Sequence, residues 1–300
     1  MSIQQRIKKK IREVKQNLFE NVKYTFFNNI ILVGGYSHSI NFGDALNVFL
    51  VESLSKKKVI HSKYIRSNYK ELPRYQVIGS VLQWSRDNDV VWGSGLIKKS
   101  SLVPAHKLDI RAVRGPNTLS ILEHNQIVSK EADIAFGDPA LLLPMLYDNK
   151  IDKKYKIGII PHYVDNMNPW LNKVASEELK VIDIECGTKW KSFVNDVLSC
   201  DMILSTSLHG LVIADAYRIP SLWIGLSDKL EGGNFKFDDY YMSIGEKNIN
   251  RIVINLETKV KDLIPLVTLK KQFNGQEQLI VSCPFIDESV KSELLSKIGK

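Results

Sequence analysis

Cysteine is scarce in this chain: Cys186, Cys200 and Cys283 are the only three. They form no metal-ligand pair and no disulfide framework, and so fit buried thiols in a reducing compartment. No run of about 18 apolar residues occurs, so no transmembrane helix is expected. The opening MSIQQRIKKKIREVKQNLFENVKYTFF lacks the continuous apolar core of a secretory signal. HExxH and cysteine–histidine sets are missing, which argues against a metal site. A GxSxG elbow is missing too, which argues against an acyl hydrolase. Neither a GK[ST] phosphate loop nor the dinucleotide fingerprint is present, so classical ATP and nicotinamide chemistry are poorly supported. There is no internal repeat and no low-complexity segment.

What is present is ordinary globular material. The 300 residues are 44% hydrophobic and 25% charged, enough apolar mass for one large or two medium domains. A net charge of +8 points to an anionic ligand, a nucleic acid or a membrane surface. Nucleic acid is the weakest of the three, because the basic residues are scattered and no aromatic-rich basic motif accompanies them. Ile7, Ile11, Val14 and Leu18 recur at helical spacing, with lysines and arginines on the other faces. Residues 1–28 therefore read as a basic amphipathic helix. It either lies on a membrane or anionic partner, or packs on the body by its one apolar stripe.

From residue 30 short β-branched runs alternate with amphipathic stretches. NIILVGG, KVIHSKYI, YQVIGSV, DVVWGSG, LDIRAVRG and ADIAFGD read as strands. GDALNVFLVESLSKK and PNTLSILEHN read as helices, the latter with Pro116 in its first turn. A second series follows: YKIGIIPHY, LKVIDIEC, the helix KWKSFVNDVLSC, DMILSTS, the helix LHGLVIADAYRI, and PSLWIGL. Strands alternating with helices predict parallel sheets covered on both faces. The fold class expected is α/β, with two Rossmann-like halves around a central cleft as in the GT-B arrangement. Residues 29–150 would form the first half and 151–300 the second, with the C-terminal helices counted in the second.

In such sheets ligands collect beyond the carboxyl ends of strands, where helix N-termini present free amides and positive dipole. The seams GGYSHSINFGDALN, VWGSGLI, RAVRGPNT, FGDPA, IIPHYVD and STSLHG are thus the places to look for a site. Gly43 lets backbone approach a ligand, and Asp44 near the helix start is either a cap or an acid–base group. Arg114, beside a helix start, is the better anion clamp of the Arg111–Arg114 pair, since guanidinium grips phosphate and carboxylate bidentately. His162 and His209 occupy equivalent seams of the second half, where a histidine protonates substrate or binds an anion. His38 is a further candidate.

Together the seams resemble the polysaccharide pyruvyl transferase family. The resemblance is carried by NFGDALN, VWGSG, the VRGP segment followed by GDPALLLP, IGIIPHY, STSLHGLVIADAYRIPSLWI and FKFDDYYMS, in order across residues 30–245. It implies transfer of pyruvate from phosphoenolpyruvate onto two hydroxyls of a sugar, forming a ketal and releasing phosphate, with no cofactor and no metal. His209, Asp44 and Arg114 are then the expected catalytic residues. Asn41, Gly43, Ser94, Arg111, His162, Ser207, Leu208, Gly210 and Lys236 are the expected substrate-binding set. The family often has an arginine two residues before the histidine, where this chain has Ser207. The missing donor grip then falls to Arg114, Arg111 or Lys236. The partners implied are phosphoenolpyruvate and a free or lipid-linked oligosaccharide of a bacterial-type surface glycan, with no nucleic acid. The location implied is the cytoplasm, with the N-terminal segment offering peripheral contact to the inner face of the membrane. Two other readings fit the same architecture: a GT-B glycosyltransferase using a sugar nucleotide, and a non-catalytic glycan-binding protein.

Overall fold

A computed structural model of the chain describes residues 29–35, 41–64 and 73–299, together with Ile11, Val14, Lys15 and Leu18. Those four are helical and exposed; the rest of the expected helix over 1–28 lies outside the described residues, as does His38. No described helix is long and apolar enough to cross a membrane.

The first half holds β1 (Ile30–Val33), α1 (Phe42–Ser55), β2 (Lys58–His61), β3 (Arg74–Gln76), β4 (Val90–Trp92), β5 (Asp109–Val113), α2 (Pro116–His124) and β6 (Ala135–Phe136). Its strands form one sheet in the order β2-β1-β3-β4-β5-β6, every pair parallel. The second half holds β7 (Tyr155–Ile160), β8 (Leu179–Val181), α3 (Trp190–Leu198), β9 (Cys200–Ser205), α4 (Leu208–Ala216), β10 (Ser221–Gly225), α5 (Phe235–Ser243) and β11 (Ile252–Val253). Its sheet is likewise parallel, in the order β11-β10-β9-β7-β8. The fold is thus α/β with two Rossmann-like halves. Parallel ladders keep both sheet faces covered, which is why β4, β9 and β10 are near-continuous apolar runs rather than alternating ones.

The helices form where periodicity and caps coincide. In α1 the side chains of Phe42, Leu46, Leu50, Val51 and Leu54 make one buried stripe. Asn41 caps that helix, its Oδ1 accepting from Gly43 N at 3.1 Å, and Lys56 in the left-handed region ends it. The cap is therefore Asn41, and Asp44 is left in the first turn.

The halves share one core. Phe42 stacks on Phe193 of α3 with ring centroids 4.3 Å apart, Phe49 meets Trp190 at 4.0 Å, and Phe42 N donates to Ile184 O. The last helices do not follow the expected division. Helices α6 (Gln276–Ser282) and α7 (Glu288–Leu295) return to the first sheet. Trp92 Nε1 donates to Leu279 O, Phe285 packs edge-on against Tyr75 and Trp92, and Asp287 N donates to Leu54 O. The aromatic side chains of β3 and β4 need an apolar cover, and the chain supplies it only at its end.

Candidate active site

Each sheet reverses its chain order once. β7 lies between β8 and β9, and β1 lies between β2 and β3, so connections leave in opposite directions from each pair. Crevices open at such switch points, beyond the strand carboxyl ends. His162 follows β7 and Ser207 to Gly210 follow β9, while Asn41 caps α1 and Phe42 to Asp44 open it, next in the chain after β1.

His209 sits in the first turn of α4, and the seam beneath it is tied by small hydroxyls. Ser205 Oγ accepts from Ser207 N at 3.0 Å and lies 3.0 Å from Ile160 O. Thr206 Oγ1 accepts from His162 N. Two glycines let the ring in. A Cβ on Gly210 would stand 2.4 Å from Ser205 Oγ, so only glycine lets α4 lie against the strands. A Cβ on Gly43 would stand 2.1 Å from His209 Nδ1, so the imidazole from one half occupies the side-chain space of a residue in the other. Opposite, His209 Nε2 lies 3.5 Å from Asp138 Oδ2.

Lys236, in the first turn of α5, is 8% exposed, and its ammonium has neither a hydrogen bond nor a salt bridge to the described residues. Burial and then the neighbouring Arg114 charge lower its pKa to about 8, against the opposing pull of Glu231 and Asp44. His162 lies within electrostatic reach of Lys236 and His209. Burial first, then its interactions with Lys236 and His209, lower its pKa to about 3. His162 is thus neutral at neutral pH, which suits it to orienting or accepting rather than to acid or anion-clamping work. Its Nδ1 faces Val164 N at 3.5 Å. Lys236, His162 and His209 with Asp44 and Arg114 form one linked group, and the amides in the first turn of α4 lack intrahelical acceptors. Such a place suits an anion. Among the described residues no three His, Cys, Asp or Glu side chains converge as a metal-binding group.

Several expected site residues have other work. Arg114, expected to clamp the donor, is 1% exposed and already committed. Its Nε donates to Asp239 Oδ2 at 3.0 Å, one terminal nitrogen to Ser80 Oγ at 2.6 Å, and the other to Leu96 O at 2.7 Å with Asp239 at 2.9 Å. A bidentate grip on a ligand would break these bonds, so Arg114 is an internal strut joining β5 to α5. Arg111 does not belong to the site. Strand alternation turns it outward, where it pairs with Asp109 at 2.6 Å. Ser94 spends its hydroxyl on Gly79 O, Leu208 lies in the core, and Gly210 and Asn41 serve packing and capping. Ser207 is buried at the N-cap of α4 and brings no charge to replace an arginine.

Two residues escaped the sequence reading. Asp138 in FGDPA faces His209, and its signal was an aspartate placed before proline at a strand end. Asp239 in FKFDDYYMS takes Arg114, Thr118 N and Thr118 Oγ1 together. Nothing local marks it, since its partners lie more than a hundred residues away.

Two parallel sheets, each with a switch point, and helices between the strands define an α/β protein of two Rossmann-like halves. The description of polysaccharide pyruvyl transferases fits residues 3–228, and the chain belongs to that family. It is accordingly a transferase. It is 32% identical over 219 residues to the uncharacterized protein L143 of Acanthamoeba polyphaga mimivirus, covering 72% of this chain and 75% of that one. It is 26% identical over 218 residues to the succinoglycan biosynthesis protein ExoV of Rhizobium meliloti, covering 68% of this chain and 62% of ExoV. A solved Klebsiella pneumoniae protein, KP1_0663, aligns over 79% of this chain and 97% of its own with a TM-score of 0.46 at 10% identity.

Proposed function

We propose that the chain moves the pyruvyl group of phosphoenolpyruvate to two hydroxyls of a sugar in a surface glycan or its lipid-linked precursor, forming a ketal and releasing phosphate. The observation that carries this reading is the buried ammonium of Lys236, without a hydrogen bond or salt bridge among the described residues, which shares His162 as a neighbour with His209, together with the free amides of α4. Phosphoenolpyruvate brings a carboxylate and a phosphate, and a cationic, amide-rich crevice suits both. Lys236 then takes the donor grip that Ser207 cannot supply, which Arg114 and Arg111 are not free to take. A phosphorylated small-molecule donor of this kind places the reaction in the cytoplasm.

The chemistry runs in balanced steps. A proton adds to the methylene carbon, and a sugar hydroxyl adds to the central carbon as a base removes its proton. Phosphate leaves with the electron pair of the broken C–O bond. The second hydroxyl closes the ketal, and its proton leaves with phosphate. His209 is the acid group, and Asp44, in the first turn of α1 across the crevice, receives the acceptor proton.

The test is phosphate release from phosphoenolpyruvate with a panel of free and lipid-linked glycans, followed by mass spectrometry of the products. A pyruvate ketal on a glycan supports the proposal. Turnover of a sugar nucleotide with no dependence on phosphoenolpyruvate would replace it with glycosyl transfer.

A further inference from the structure

His209 and Asp138 reach each other from opposite halves. The carboxylate follows β6 and the imidazole opens α4, and they are 1% and 12% exposed. Asp138 uses one oxygen locally: Oδ1 accepts from Ala140 N at 2.9 Å and caps the short 3₁₀ turn Pro139–Leu142. Its other oxygen, Oδ2, and His209 Nε2 are both buried, 3.5 Å apart, and neither has a hydrogen-bond partner among the described residues. A buried carboxylate oxygen accepts only, so the two atoms satisfy each other in one way, with hydrogen on Nε2. Were Nε2 to carry its lone pair instead, two acceptors would face each other in the dry interior, which is costly. The other ring nitrogen is placed differently. Nδ1 is not among the sealed polar atoms, and its edge of the ring lies over Gly43 at the start of α1.

We propose that Asp138 is a positioning residue that holds His209 as the Nε2–H tautomer, leaving Nδ1 as the atom that exchanges protons with substrate. The part of this proposal that concerns catalysis rests on the function proposed above. In that reaction the Nδ1–H bond of the imidazolium breaks, its electron pair stays on nitrogen, and the proton forms the third C–H bond of the methyl group. The neutral ring that remains keeps its Nε2 hydrogen on Asp138. Because the partners come from different halves, the acid is correctly set only when the two halves are docked. That couples the shared core described above to the proton transfer.

Asp138→Asn tests this sharply. Asparagine has one oxygen where aspartate has two, and it cannot both cap Ala140 N and accept from Nε2. With the cap kept, its amide N–H points at Nε2 and reverses the tautomer to Nδ1–H. The measurement is the nitrogen-15 NMR signature of the His209 ring in substrate-free protein at alkaline pH, assigned by its loss in His209→Gln. The expected result is Nε2–H in the wild type and Nδ1–H in Asp138→Asn. Turnover of phosphoenolpyruvate should fall about 10²–10⁴-fold with the donor KM within about threefold, as happens when a catalytic imidazole is held in the wrong tautomer. If Asp138→Asn does not fold, Asp138→Ser keeps a capping oxygen and removes the partner of Nε2, and a mixed tautomer is then expected. An Nδ1–H ring in the wild type, or a tautomer unchanged in the variants, overturns the proposal. A wild type with the expected tautomer and switch, but no phosphate release from phosphoenolpyruvate, overturns the functional reading and leaves the tautomer control standing.

Discussion

Replacing Lys236 with methionine should make the protein more stable and a poorer enzyme, two effects that a merely structural lysine could not combine. Its ammonium is nine-tenths buried with no anionic partner in contact, and the Phe237 ring centroid lies 5.6 Å from it. A pKa lowered from the ordinary 10.5 to about 8 corresponds to a folding penalty of about 3 kcal/mol. Below about pH 8 the folded lysine is charged and the whole penalty is present. Between about 8 and 10.5 the unfolded chain still holds a proton that the folded chain has shed, so stability rises with pH across that window. Lys236→Met removes the penalty while keeping most of the volume. At neutral pH it should unfold at higher urea, by up to about 3 kcal/mol, with the advantage fading as pH approaches 10. The same change removes a charge-assisted contact to the donor, worth roughly 1.5–3 kcal/mol, so the KM for phosphoenolpyruvate should rise about tenfold or more. Urea unfolding at two pH values and steady-state phosphate release, run on the same preparations, make the comparison. A methionine variant less stable than the wild type at neutral pH, or one with an unchanged donor KM, would refute the reasoning.

Asp239→Ala should cost about 3–5 kcal/mol of stability by urea unfolding, because it strands the buried guanidinium of Arg114 and removes the acceptor of Thr118 N. A variant of wild-type stability would mean that Arg114 is not the strut described. Gly43→Ala places a Cβ 2.1 Å from His209 Nδ1 and should displace the ring, costing about 1–3 kcal/mol and most of the turnover. Normal phosphate release by this variant would take His209 out of the reaction. His209→Ala should lower turnover about 10²–10⁴-fold and, by leaving Asp138 Oδ2 buried without its partner, cost about 1–3 kcal/mol of stability. Rescue by His209→Gln, which donates a hydrogen bond but cannot titrate, would assign the ring to anion binding rather than acid chemistry.

The alternation of strands and helices was legible because it is local. A buried parallel strand needs a short apolar run, and a helix needs a stripe and a cap, all written within a dozen residues. IIPHY and STSLHG announced themselves as seams for that reason, and His162 and His209 stand at the switch point they define. Arg111 was expected in the binding set with Arg114, although strand alternation turns it outward to Asp109. The electrostatic use of each residue was not local. Whether Arg114 is a free clamp or a spent strut depends on Asp239, 125 positions away. Whether Lys236 is solvated or buried and unpaired depends on how α5 lies between the halves. Asp138 and His209 carry no mark of each other in the chain, and Gly43 gives no hint that an imidazole will fill its missing side chain. Composition and periodicity determined which segments become strands, helices and seams. Only the docking of two sheets around a common core decided which charges meet, because desolvation and pairing act over a few ångströms of space and take no account of distance along the chain.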